Sequence, residues 1–335
     1  MSQADAVARA LEADDGATPA ERLKALVASG LDRLPLPGHG ATLQRWQVLS
    51  AVARVDLALT KWFESHTDAL AIRSEIDPSF SPQAGQVYAV WASESREDPV
   101  RLGPSDTAVV SGRKSWCSGA AIVDRGLMTA TSADGVRYLV EIDLRSPNVS
   151  IDRTRWNAVG MAASESFDVV CDRVPAMVVG PPNAYLERPG FWHGGAGIAA
   201  CWYGAAAAIG ARVRDLQKGR DDAHALAHLG EIDGALSAAA SLLRECAREI
   251  DEQPAQDAMH IALRARTFVA GIAEFVMHHA ARAIGPGPLC NDARLARLFA
   301  DLPIFIRQSR GEHDLATVGR AAVARIDHDA TGWSL

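Results

Sequence analysis

With 335 residues, 48% of them hydrophobic and 22% charged, the chain has the composition of a folded globular protein with room for two or three packed units, not of a disordered segment. A net charge of -7 and the lack of any lysine–arginine run argue against a nucleic-acid surface. No apolar stretch is read as approaching the roughly 20 residues of a membrane helix, so no membrane partner is expected. Met1 to Asp15 is rich in Ala, Asp and Glu instead of basic-then-apolar, and the five cysteines form no CxxC pair. Both features predict a cytoplasmic chain with reduced thiols, no secretory leader and no zinc site.

Three textures follow one another, with expected boundaries at residues 1–80, 81–185 and 186–335. The first reads as helix: apolar residues recur at three- and four-residue spacing over Ala6–Leu11, Pro19–Ala28 and Leu43–His66, broken by Pro35-Leu36-Pro37-Gly38. From about Pro82 the pattern turns to β-rich runs: Gln86–Ala92, Ala108–Ser111, Gly126–Thr131, Arg137–Leu144, Val149–Asp152 and Ser166–Cys171. Short Gly/Asp/Pro/Ser turns separate them, which predicts a small barrel or sandwich. After Pro189 four apolar stripes begin at Trp202, Leu229, Ala265 and Leu295, as expected of an antiparallel four-helix bundle.

The most informative stretch is Val109–Ala121. Read as a hairpin turning at Ser111-Gly112-Arg113, it sets Lys114, Trp116 and Ser118 in alternation, so an indole and a hydroxyl share one face. A flat aromatic wall beside a hydroxyl suits a flavin ring; the plain alternative is an ordinary hairpin with a half-buried Trp. Gly112-x-Lys114-x-Trp116-x-Ser118-Gly119-Ala120 resembles the flavin-contacting strand of the acyl-CoA dehydrogenase superfamily, and the order helix, β domain, helical bundle is that superfamily's layout.

The resemblance implies an α+β multidomain fold holding FAD, with Trp116 packed on the isoalloxazine and Ser118 near N5. Tyr88 and Val90 stand where the first flavin strand falls, and Gly160-Met161-x-x-Ser164-x-Ser166 resembles the exit of the β domain, with Ala162 in place of the usual Arg. Arg220, Gly285 and Gly287 would serve a neighbouring subunit's flavin, which implies a homodimer or homotetramer. The implied reaction is α,β-oxidation of an acyl thioester such as an acyl-CoA, with an electron-transfer flavoprotein as a partner.

That reaction needs one desolvated carboxylate at the substrate's α-carbon. The family's two positions for it fall on Ser309 and near Gly194, so Glu312, with His313 beside it, is the leading substitute. The plain reading of Glu312 is a solvated helix start favoured by the helix dipole. Flavin monooxygenases of the same fold, supplied with reduced flavin by a reductase, carry a strand similar to Cys117-Ser118-Gly119-Ala120 and a helix His that His66 matches in order, although the plainer reading of His66 is a capped or core histidine; His193 is a further acid–base candidate, its plainer reading a His at an aromatic-rich helix entry. A third reading, from a different class, is a flavin-free scaffold or binding subunit that lost the base. Lys114, Arg153, Arg155 and Arg173 are the candidate contacts for CoA phosphates.

Overall fold

In the computed structural model, residues 1–13, 16–95, 97–104 and 108–324 are described. The fold is mixed α/β, a small strand barrel set among helices. Four helices come first: α1 (Gln3–Ala13), α2 (Pro19–Ala28), α3 (Thr42–Ala53) and α4 (Leu57–Ile76). A capping box starts α2, where Thr18 and Glu21 satisfy each other's backbone donors. The apolar run over Leu43–His66 is not one helix as expected. It breaks at Arg54–Asp56, because the Asp56 carboxylate accepts from Leu59 N at 2.8 Å and caps a new helix there.

Among the described residues seven strands follow: β1 (Tyr88–Trp91), β2 (Arg101–Leu102), β3 (Val109–Cys117), β4 (Arg125–Thr131), β5 (Arg137–Asp143), β6 (Val149–Asp152) and β7 (Phe167–Val179). The pairings β4–β2–β3–β7–β5 return to β4 and close a barrel, with β1 added on β4 and β6 on β7. The predicted hairpin at Ser111-Gly112-Arg113 is absent: β3 runs straight through, antiparallel to β7, with two register shifts. Gly112 adopts φ +116° at the first shift, where a Cβ would lie 2.5 Å from Pro99 O, so the feature that suggested a turn is a bulge under close backbone contact. The last strand is also longer than expected, because it continues past Pro175 to pair with β5.

The remaining chain is helical: α5 (Ala184–Glu187), α6 (Gly190–Ala196), α7 (Ile198–Gln217), α8 (Ala223–Glu252), α9 (Met259–Ile284), α10 (Pro286–Asn291), α11 (Ala293–Phe305) and α12 (Glu312–Ala324). The four apolar stripes lie on α7, α8, α9 and α11; α7, α8 and α9 pack on one another, and α11 and α3 pack on α7. One stretch, Gly190–Gln217, is long and apolar enough to cross a membrane by composition, contrary to the sequence reading. Its apolar window is 78% buried inside the fold, as befits a core helix.

Candidate active site at the junction of barrel and helices

A cavity of about 750 Å³ opens where α4, the ends of β1 and β3, α5, α6, α9 and the segment after α11 meet. The volume falls within the range of small-molecule and cofactor sites. Its two ends differ in chemistry.

At the barrel end stand Trp116, Ser118, Ser164 and Ser166. Simple strand alternation does not place them. The second register shift in β3, between Lys114 and Cys117, coincides with Trp116 in a left-handed conformation at φ 65°. That bulge turns the indole outward, so Trp116 is 68% exposed at the cavity while Lys114 is fully buried. Lys114 is therefore no phosphate ligand: its ammonium donates to Thr129 O at 2.8 Å, to Thr129 Oγ1 at 2.7 Å and to Glu94 at 3.3 Å.

Behind Trp116 the three serine hydroxyls form a chain, Ser118 Oγ to Ser166 Oγ at 2.7 Å and Ser166 Oγ to Ser164 Oγ at 2.9 Å. Two buried indoles fix the backbone around it, Trp62 donating to Ser164 O and Trp91 to Ser118 O. Met161 and Glu165, either side of the turn that carries Ser164, also have positive φ. Non-glycine residues held this way cost on the order of 1–3 kcal/mol each and persist where the surroundings over-determine them. Here the surroundings include α11. Asp301 accepts from Met161 N, and Gly160 lies so close to α11 that a Cβ would sit 2.0 Å from Ala300 O.

The helical end is charged. Lys61, Glu64 and Asp68 line one face of α4, and Arg188, Arg266, Arg307 and Arg310 approach from the other elements. Lys61 pairs with Glu64 at 3.0 Å, and the buried Arg45 pairs with Asp68 at 2.9 Å. Burial pushes the Glu64 carboxyl above its ordinary value, Lys61 working against that and Asp68 with it. A buried carboxylate with raised proton affinity in a cleft is a recognised acid–base candidate.

Of the sequence candidates, Trp116, Ser118 and Val90 line the cavity. Tyr88 lies two residues back on the same strand but packs edge-on against Phe80 in a separate apolar cluster. Glu312 and His313 are not brought to the cavity; both are exposed on the first turn of α12. The buried carboxylate there is Asp314, which accepts from Ser309 Oγ at 2.9 Å and from Arg310 N at 3.1 Å. Arg220 lies in the connection from α7 to α8, Gly285 ends α9 at φ 65°, and Gly287 is inside α10; none lines the cavity.

The two histidines named for oxygen chemistry also lie elsewhere. His66 is completely buried, Nε2 3.1 Å from Asp32 and Nδ1 accepting from Tyr88 N at 2.9 Å, so the ring ties the helices to β1. His193 is buried against the backbone of Gly38. Sequence reasoning missed Lys61, Glu64 and Asp68, although their i, i+3, i+7 spacing inside an apolar helix was a visible signal. It missed Arg266 with no such signal.

No family model matches the sequence, and no curated protein matches it. Solved structures do. FMN-bound TdsC from Paenibacillus sp. A11-2, a dibenzothiophene monooxygenase, is similar with a TM-score of 0.80 and 17% identity over 95% of each chain. Methanesulfinate monooxygenase MsuC from Pseudomonas fluorescens gives 0.78 and 20% over 96% of each chain. Butyryl-CoA dehydrogenase from Megasphaera elsdenii gives 0.76 and 16% over 90% of each chain. At these identities the likeness is one of fold: the chain has the acyl-CoA dehydrogenase fold, as its sequence resemblance implied.

Proposed function

We propose that this chain is a flavin-dependent oxidoreductase that oxygenates a small aromatic compound. The observation that carries the reading is the barrel end of the cavity: a largely exposed indole, held out by a bulge, beside a buried chain of three hydroxyls. An aromatic that exposed has an unused face, and the hydroxyl chain can donate at its cavity end. Both suit an isoalloxazine, with Trp116 as its wall and Ser118 as its polar partner. FAD, the cofactor expected from the sequence, and FMN share that ring and differ only beyond it. When bound, the flavin supplies the electron chemistry. The chain's own residues position it, close the substrate in among Trp91, Trp192 and Phe305, and offer Glu64, whose proton affinity burial raises, for acid–base work.

Oxygenation is favoured over dehydrogenation by what stands at the two expected base positions. Ser309 is tied to Asp314, and Gly194 has no side chain. Among the larger apolar side chains of the lining, aromatics outnumber aliphatics seven to four. One observation keeps acyl thioester oxidation as the second reading: a Cβ on Gly194 would lie 3.5 Å from Asp68, so α4 brings its carboxylates to that vacant position. In that case Glu64 takes the base role assigned to Glu312. A reductase is the expected partner in the first reading and an electron-transfer flavoprotein in the second. A homodimer or homotetramer, with Arg220, Gly285 and Gly287 toward a neighbour's flavin, accompanies either.

The test is direct. The protein is reconstituted with FMN or FAD, reduced anaerobically, and exposed to oxygen with indole and other small aromatics. Products heavier by one oxygen support the first reading. Flavin bleaching on anaerobic mixing with an acyl-CoA panel supports the second, and failure to take up either flavin defeats both.

A further inference from the structure

Arg266 projects from α9 into the helical end of the cavity. Its Nε is buried without an acceptor, and no ion pair or hydrogen bond among the described residues uses its guanidinium. A Cβ on Gly195 would lie 4.0 Å from one of its terminal nitrogens, so α6 presents bare backbone on that side. Two carboxylates are near enough to influence it, Glu64 and Asp314, and both are engaged elsewhere. Lys61 holds Glu64, while Ser309 and Arg310 N hold Asp314. Burial lowers the proton affinity of this guanidinium, and the neighbouring Arg310 adds to the effect, yet arginine stays charged in proteins. The side chain is partly buried, with its Nε sealed and its other end in the cavity, so an incoming anion would meet a cation that no carboxylate among the described residues holds.

The charges around the cavity point the same way. Although the chain is acidic overall, five cationic side chains line the cavity against two carboxylates. Trp91, Trp192 and Phe305 line the same cavity and offer flat, apolar surface. From these features we infer that the substrate is a small aromatic acid, its carboxylate or similar planar anion held by the Arg266 fork and its ring lying among Trp91, Trp192 and Phe305 toward Trp116. The inference deepens the oxygenase reading and rests on it for the position of the flavin. The anion could in principle be the flavin's own phosphate, and the experiment separates the two sources.

Matched acids and amides, indole-3-carboxylate with indole-3-carboxamide and benzoate with benzamide, are titrated calorimetrically into the protein as purified. At least one acid should bind about tenfold or more tighter than its amide, the discrimination expected when a charge-assisted bidentate contact is lost. Arg266→Gln should abolish the preference. Arg266→Lys keeps a cation without the fork and should retain part of it, which also serves if the Gln variant folds poorly. Equal binding of acid and amide, no binding of any acid at millimolar concentration, or a preference that survives in both variants would overturn the inference. So would a drop in FMN affinity in Arg266→Gln with riboflavin affinity unchanged, because that result assigns the residue to the phosphate. If the protein takes up no flavin yet prefers acids through Arg266, the anion site stands and the oxygenase reading falls.

Discussion

The two ends of the cavity are built in opposite ways. The barrel end draws on short, contiguous segments: Trp116 at the end of β3 with Ser118 just beyond it, and Ser164 and Ser166 just before β7, joined by hydroxyl contacts of 2.7 and 2.9 Å. The helical end is assembled from residues separated by up to about 250 positions, with Lys61, Glu64 and Asp68 on α4 opposite Arg266 on α9. Hydroxyls and strained backbone hold the first rigidly, whereas the second holds buried charge whose balance each ligand or mutation changes. A shared fold can therefore keep a cofactor platform while the reacting end diverges.

The sharpest way to break that contrast is at the helical end. Glu64→Gln preserves shape and removes the titrating proton, so turnover in the oxygenation assay should fall about 10²–10⁴-fold. Flavin affinity, read by fluorescence quenching, should stay within a factor of a few. Equal losses in both would mean that the two ends do not function separately. A smaller effect, on stability alone, is expected where the sequence suggested chemistry. His66→Ala should cost about 2–4 kcal/mol in denaturant unfolding, because it opens a cavity and strands Asp32 and Tyr88 N. If the folded fraction of that variant lost turnover without losing stability, the histidine would belong to the site after all.

The contrast also explains what could be read from the sequence. The order of helices and strands was legible because each element carries its own period, and Trp116 and Ser118 were legible because a local motif holds them. The means by which they meet was not. Gly112 and Trp116 bulge the strand against β7, and no alternation rule anticipates a positive φ at a tryptophan. His66 shows a motif match yielding to the plainer reading of a core histidine. A histidine in the expected helix order is sealed into the core because Asp32, 34 residues upstream, and the β1 backbone claim both ring nitrogens. Arg266 was invisible for a similar reason: an arginine in an amphipathic helix reads as solvent-facing until packing surrounds it.

At the barrel end the expected effect is smaller than at Glu64. Trp116→Ala removes one wall of the ring site and should weaken flavin binding by roughly tenfold, the scale of a lost aromatic stacking contact with its buried area. Turnover with saturating flavin should change much less. An unchanged affinity would place the flavin elsewhere in the cavity and undo the proposed platform.

The smallest effect is the most informative about chemistry. Lys61 lies 3.0 Å from Glu64 and favours its charged form, while burial favours the neutral form and prevails, keeping the carboxyl above its usual 4.5. Lys61→Met removes the opposing influence, so the Glu64 limb of the pH–rate profile should move to higher pH. If Glu64 acts as an acid, activity then persists to higher pH than in the parent. If it acts as the base of a dehydrogenase, activity near neutrality is lost instead. Stability follows with a definite sign. Because the folded-state value lies above the unfolded one, the contribution of Glu64 is present in full below the unfolded value and is lost as pH rises through the folded value. The variant should therefore lose more stability than the parent between mildly acidic and alkaline pH in urea titrations. A limb that stays in place would detach Glu64 from the chemistry and leave the helical end with Arg266 alone as its functional charge.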